Sequence, residues 1–199
     1  MRYGVGLVSL FAVIGSVVAI HHIVSGATPD WVSQDIYAYL LTRMDFDPRK
    51  IWPITGPQSV LMYVTHGFRH AFWAHVWVNM IPLAILGAYA IWRIGAWRFW
   101  ALYLGGMALG GLLFVLIDGG GLRGASGGVN VVWGTLLVLA VLDRAWGLFA
   151  LWALGSVAVH AYIISVVGWN FAWEGHAISL VLGALVAPIL ARRGREMAN

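Results

Sequence analysis

Charged residues divide this chain into long uncharged stretches, and those stretches have the length of membrane spans. Uncharged runs at 3–29, 70–92, 99–117, 124–142, 145–173 and 175–191 measure 27, 23, 19, 19, 29 and 17 residues. A bilayer core requires about 20 apolar residues per helix, within a range of about 17–25. The pattern predicts six transmembrane helices at about 4–26, 70–92, 99–117, 125–142, 146–168 and 175–191, in one all-α polytopic domain spanning 1–199. A further uncharged run, 51–68, holds Pro53, Thr55, Gly56, Pro57, Gln58, Ser59, Thr65 and His66. Lipid offers no partner for the backbone groups such residues free, so this run is predicted to be loop. It belongs to a first external loop over about 30–69. Within that loop, 30–44 (Asp30, Trp31, Ile36, Tyr37, Tyr39, Leu40, Leu41, Met44) predicts a short amphipathic helix lying on the membrane. Segment 45–60, with Pro48, Pro53 and Pro57, is expected to be irregular. Arg2 and the apolar stretch after it resemble a signal peptide, but the run is too long and lacks a small-residue cleavage site. The other connections span a few residues, so consecutive helices are expected to be antiparallel neighbours.

Composition agrees with the pattern. Of 199 residues, 10% are charged and 61% hydrophobic, and the mean hydropathy is +0.82. Soluble domains carry about 25% charge and about 45–50% apolar residues. A soluble enzyme of ordinary make-up is therefore excluded, as are disordered and, with no cysteine, disulfide-stapled chains. With six spans, both termini share a side with the turns at 93–98 and 143–144. That side holds Arg2, Arg93, Arg98, Arg144, Arg192, Arg193 and Arg195 against Asp143 and Glu196, a net charge of +5. The opposite side, with Arg43, Arg49, Lys50, Arg69 and Arg123 against six carboxylates, nets −1. Positive-inside reasoning makes the termini cytoplasmic. The basic pI then reflects topology, and no nucleic-acid partner is implied. Trp92, Trp97, Trp100, Trp146, Trp169 and Trp173 sit near the charge-marked ends, where interfacial anchors are expected.

Polar side chains within spans default to a functional reading because lipid makes them costly. Four stand out: His75 and Asn79 in the second span, Ser126 heading the fourth, and His176 heading the sixth. All lie in the first half of an even-numbered span, so they share the external side at similar depth. His75 and Asn79, four apart, stack on one helical face. Ser126 lies in Gly124-Ala125-Ser126-Gly127-Gly128, where small neighbours leave its hydroxyl accessible. Gly175, Ser179 and Gly183 form a small-xxx-small stripe that permits close helix approach. Facing that stripe with Gly124, Gly127, Gly128 or Gly134 would bring Ser126 and His176 to hydrogen-bond distance. Serine is a weak nucleophile until a base takes its proton, and imidazole suits that task. No carboxylate lies inside a span, so the expected unit is a Ser126–His176 dyad, with His75, Asn79 and the Ser126 backbone N–H as oxyanion donors.

Taken together, His70, His75-Val76-Trp77-Val78-Asn79, Gly124-Ala125-Ser126-Gly127 and Gly175-His176 with Gly183 resemble the rhomboid intramembrane serine proteases. The resemblance covers six spans and essentially the whole chain. It implies Ser126 as nucleophile, His176 as general base and acid, and cleavage of single-span membrane proteins near the outer face. It implies no metal and no cofactor, and a bacterial or archaeal cell membrane with the site open to the external or periplasmic side. His70 is expected to order the first loop, with Gly124, Gly127, Asn130 and Gly183 supporting the site. The glycine-rich stretch 118–125 is expected to dip into a protein-lined cavity, with 168–173 as lid and the fifth span as lateral gate. Two positions depart from the family pattern. Asn130 stands where an aromatic residue commonly packs on the catalytic imidazole, and Leu61-Met62 replaces a Trp-Arg pair. An inactive rhomboid-like protein that binds or escorts membrane clients is the alternative. A haem or metal protein using His66, His70 and His75 is a third possibility. His21, His22 and His160 are read as structural or interfacial, and Glu174 as a mark of the membrane surface.

Overall fold

The computed structural model describes residues 2–25, 62–118, 123–167 and 173–196. The predicted surface helix at 30–44, the irregular stretch 45–60, the stretch 119–122 and the proposed lid residues 168–172 lie outside the described residues. Six long helices account for most of what is described: α1 (Arg2–Val24), α2 (Trp73–Ile94), α3 (Ala96–Asp118), α4 (Ser126–Leu142), α5 (Trp146–Val167) and α6 (Trp173–Glu196). A 3₁₀ turn, His66–Phe68, precedes α2 and follows four helical residues, 62–65, so the described part of the run 51–68 is helical where loop was expected. Five helices are long and apolar enough to cross a bilayer, and α4 is the shorter sixth. The molecule is an all-helical membrane bundle.

Connections between helices are tight where they are described. Gly95 alone separates α2 from α3, and its φ of 87° is the left-handed conformation that lets a chain leave one helix and start the next. Arg144, at φ 55°, serves the same purpose between α4 and α5. Both turns lie at one end of the bundle, where the Arg93 guanidinium donates bidentately to the Asp143 carboxylate at 2.7–3.0 Å.

The bundle is organised around α4, which is buried from Gly128 to Leu136. Its most extensive partner is α6, followed by α3 and α5. Lipid tails are as apolar as leucine, so helices associate through close packing and hydrogen bonds rather than hydrophobic expulsion. The glycines mark where this happens. A Cβ on Gly134 would overlap the Leu180 carbonyl of α6, and one on Gly183 would overlap the Val131 carbonyl of α4. Thr135 Oγ1 donates across the same contact to the Gly183 carbonyl at 2.9 Å. The small-residue stripe therefore splits. Gly183 meets α4, and Ser179 lies near Gly127 and Gly110, whereas Gly175 faces Phe114 and Gly128 faces Tyr103 of α3.

Outward faces carry Val5, Phe11, Ile81, Ile85, Leu116, Leu154, Val157, Leu185 and Ile189, all exposed. In water so large an apolar surface would drive association; in a bilayer it is the solvated face. Trp92, Trp97, Trp146 and Trp173 are exposed at helix ends, as anchors should be. Trp100 is not an anchor. Its indole N–H donates to Ser9 Oγ of α1 at 2.9 Å, and its ring meets Phe99 and Tyr103 edge-on. Trp169 lies outside the described residues.

Candidate active site

Helix α4 is 17 residues long and α2 is 22, a difference that sets the depth of Ser126. The Arg93–Asp143 ion pair aligns their shared end. Counting 17 residues back along α2 from Arg93 reaches the turn 76–79, so the start of α4 falls beside that turn. At about 1.5 Å per residue this is about 5–9 Å inside the start of α2 at Trp73. The side chains agree, because Ser126 lines one cavity with Val78 and Asn79 of α2.

Two hydrogen bonds hold the approach to Ser126. The Gly124 N–H donates to the His66 carbonyl at 3.0 Å, and the Ala125 N–H donates to His70 Nε2 at 3.3 Å. His70 thus orders the turn in front of α4, and His66, which the sequence reading left out of the site, does so through its backbone. Burial pushes the His70 imidazole down to about 2, with the neighbouring His75 and His21 adding to the effect; burial likewise pushes His66 down to about 4. Both rings are therefore neutral, as the acceptor role of His70 Nε2 requires. Gly124 takes φ 102°, and a Cβ there would stand 2.7 Å from His75 Nε2. Glycine is needed at this position for conformation and for space.

Ser126 is the first helical residue of α4. The first intrahelical bond runs from the Val129 N–H to the Ala125 carbonyl at 3.0 Å, so the N–H groups of Ser126, Gly127 and Gly128 precede the ladder. No acidic residue lies in this first turn, and no side chain caps it. The helix presents donors and a partial positive charge at the serine, a setting suited to developing negative charge.

The cavity is lined by Val78, Asn79, Ser126, Asn130, His160 and His176, among others, and has room for about one water molecule. Ser126, Asn79 and His176, picked out from three separate spans, thus share one wall-to-wall space. The Asn79 amide donates one N–H to the His75 carbonyl of its own helix at 2.8 Å, which leaves its second N–H. His75 does not line the cavity. Its ring lies edge-on to His70 with centroids 4.9 Å apart, Nδ1 accepts from the Ala71 N–H at 3.4 Å, and Nε2 abuts Gly124. Its reach is to the turn before Ser126.

Asn130 donates to the Ser126 carbonyl at 2.9 Å, one turn back on its own helix, and is buried. Its Oδ1 has no hydrogen-bond partner, so Asn130 does not bond to His176. The ring beside His176 comes from elsewhere. His160 of α5 lies 5.4 Å from it, centroid to centroid, at an interplanar angle of 75°. Read from sequence as structural or interfacial, His160 lines the cavity. It sits seven residues before the last residue of α5, Val167. Gly183 and Gly127 act through packing, as described for the fold. Among the described residues, no three His, Cys, Asp or Glu side chains gather in a metal-binding group. His21 is buried against Trp73, with centroids 4.6 Å apart.

A hydroxyl, two imidazoles and two side-chain amides around one small cavity, sunk below the end of a six-helix bundle, define a polytopic membrane protein with a polar site inside its spans. The Rhomboid domain family matches residues 57–193, and the chain belongs to the rhomboid family. No curated protein matches it.

Proposed function

We propose that this protein is an intramembrane serine endopeptidase acting through a Ser126–His176 dyad. The observation that carries the proposal is the shared cavity: Ser126 heads α4, His176 lies in the first turn of α6, and both open on one space with Asn79. In this reading His176 takes the Ser126 proton as the hydroxyl attacks a substrate carbonyl, then returns it to the leaving amine. In this reading the oxyanion forms at the N-terminus of α4, with the Ser126 N–H and the second Asn79 N–H as donors and His75 acting from the Gly124 side. Loss of one such donor typically costs about 10²–10³ in turnover.

Substrates are single-span membrane proteins cut near the outer face, at a locally unwound segment with a small residue before the cut, because an intact helix hides its carbonyls. The arginine-rich ends support cytoplasmic termini, and in this reading the site opens to the external or periplasmic side of a bacterial or archaeal cell membrane. The α5 face is the route of lateral access. It is the least buried of the long helices, and a water-sized cavity requires a neighbour to move before a peptide fits.

Fluorophosphonate labelling and cleavage of a synthetic single-span substrate test this together. Wild-type protein should label and cleave, and Ser126→Ala should do neither. Equal labelling of both forms would overturn the proposal. Capture of substrate by both forms without cleavage would identify a client-binding protein instead.

A further inference from the structure

We infer that His160 is the positioning residue for the His176 imidazole, taking from α5 the place that Asn130 on α4 does not fill. The inference rests on the protease reading of Ser126 and His176. Three observations carry it. The two rings meet edge-to-face, with centroids 5.4 Å apart and planes at 75°, an arrangement favoured for π-systems because a positive edge faces a negative face. The His160 ring is itself fixed: its Nδ1 lies 2.8 Å from the Ser156 carbonyl one turn earlier. A carbonyl only accepts, so Nδ1 donates in this contact. Third, Asn130 is turned back onto its own helix by its bond to the Ser126 carbonyl.

Location strengthens the case. Most of α5 faces lipid, with Leu151, Leu154, Val157 and Val166 exposed. On such a helix an imidazole turned inward against a second imidazole is a costly choice that packing alone does not require. An aliphatic side chain would fill the same space. It would not hold the ring of His176 at one orientation, and a general base misaligned by about 1 Å loses about 10²-fold in rate.

The test uses full-length protein in lipid. His160→Ala should lower kcat by about 10–10²-fold with KM and thermal unfolding unchanged, and His160→Phe, which restores a ring without nitrogen, should recover most of the rate. Asn130→Tyr in the His160→Ala background should recover activity as well, by supplying a ring from α4. An independent readout follows the ring-carbon resonances of His176 after histidine labelling. They should shift and broaden in His160→Ala and return to one narrow set in His160→Phe. Unchanged His176 resonances in His160→Ala, or a kcat in His160→Phe as low as in His160→Ala, would overturn the inference. A wild-type protein that neither labels nor cleaves would sink the protease reading instead, while the resonances still decide the ring contact.

Discussion

Gly183→Ala adds one methyl group at a contact between α4 and α6 matched in closeness by Gly134, and its consequences follow from the geometry. The new Cβ overlaps the Val131 carbonyl and comes within 2.9 Å of the Thr135 nitrogen. Both are backbone atoms of α4, so no rotamer change relieves the clash and the helices must part. Restoring an ordinary carbon–oxygen contact of about 3.3 Å takes about 1 Å of separation. The same movement stretches the Thr135 Oγ1 bond to the Gly183 carbonyl, now 2.9 Å, a bond of the kind worth about 0.6 kcal/mol in a membrane. Overpacking of this sort costs about 1–3 kcal/mol. Because α4 carries Ser126 and α6 carries His176, the same displacement should lower kcat/KM by about 10²-fold. Gly105→Ala is the matched control, since nothing lies within 4 Å of a Cβ there. It should leave cleavage unchanged and raise stability by up to about 1 kcal/mol, the usual gain over glycine in a helix. Thermal unfolding in detergent and cleavage in liposomes give the two readouts. If Gly183→Ala matches Gly105→Ala in both, close α4–α6 packing is not what aligns the site.

Gly124→Ala places a side chain at φ 102° and against His75; it should slow fluorophosphonate labelling of Ser126 and destabilise the fold by about 1 kcal/mol or more, and an unchanged labelling rate would refute the role given to this turn. The neutral, buried His66 and His70 make stability depend on pH. Their folded pKa values of about 4 and about 2 lie below the 6.5 of the unfolded chain, so below pH 6.5 the unfolded state binds more protons. Stability is complete above that pH and falls as pH drops towards 4, by about 2 kcal/mol per imidazole at pH 5. Unfolding midpoints from pH 8 to 5 should show the decline, and His70→Gln should flatten part of it; a flat wild-type profile would contradict the burial of these rings. The Arg93–Asp143 pair, partly exposed at 23% and 34%, should show a coupling of about 0.3–1 kcal/mol in a double-mutant cycle, and less in high salt.

Charge placement made the spans legible, because lipid excludes charge so strongly that its absence over about 20 residues leaves few alternatives. The polar residues heading α2, α4 and α6 were legible for the same reason. Neighbour relations were harder to read. Small residues declare that something comes close without saying what: Gly128 and Gly175 face α3, although the stripe had pointed to α4 and α6. Trp100, at a charge-marked end like the anchors, turned inward because Ser9 offers its indole an acceptor. His160 reads from sequence as structural or interfacial because α5 is apolar on nearly every face. A helix with no polar stripe carries no periodicity from which its inward side can be read. The clasp formed by the His66 carbonyl had no sequence signal at all, since it is made by backbone.

The two residues of the proposed dyad are held by different means, and the difference separates their mutational signatures. Ser126 has a short side chain, so placing its backbone nearly places its oxygen. The backbone is pinned at one end of α4 by Arg93 and Asp143, at the other by His66 and His70, and along its length by the contacts of Gly134 and Gly183. His176 has two side-chain torsions, so placing its backbone does not by itself set the angle of its ring. A ring is oriented by what it touches, and His160 touches it. Variants at the glycines or the clasp must therefore lower stability and turnover together, because one backbone displacement causes both. Variants at His160 should lower turnover while the unfolding midpoint stays in place. Should the two groups of variants fall on one line of activity against stability, the imidazole is oriented by the bundle as a whole and His160 has no separate part in it.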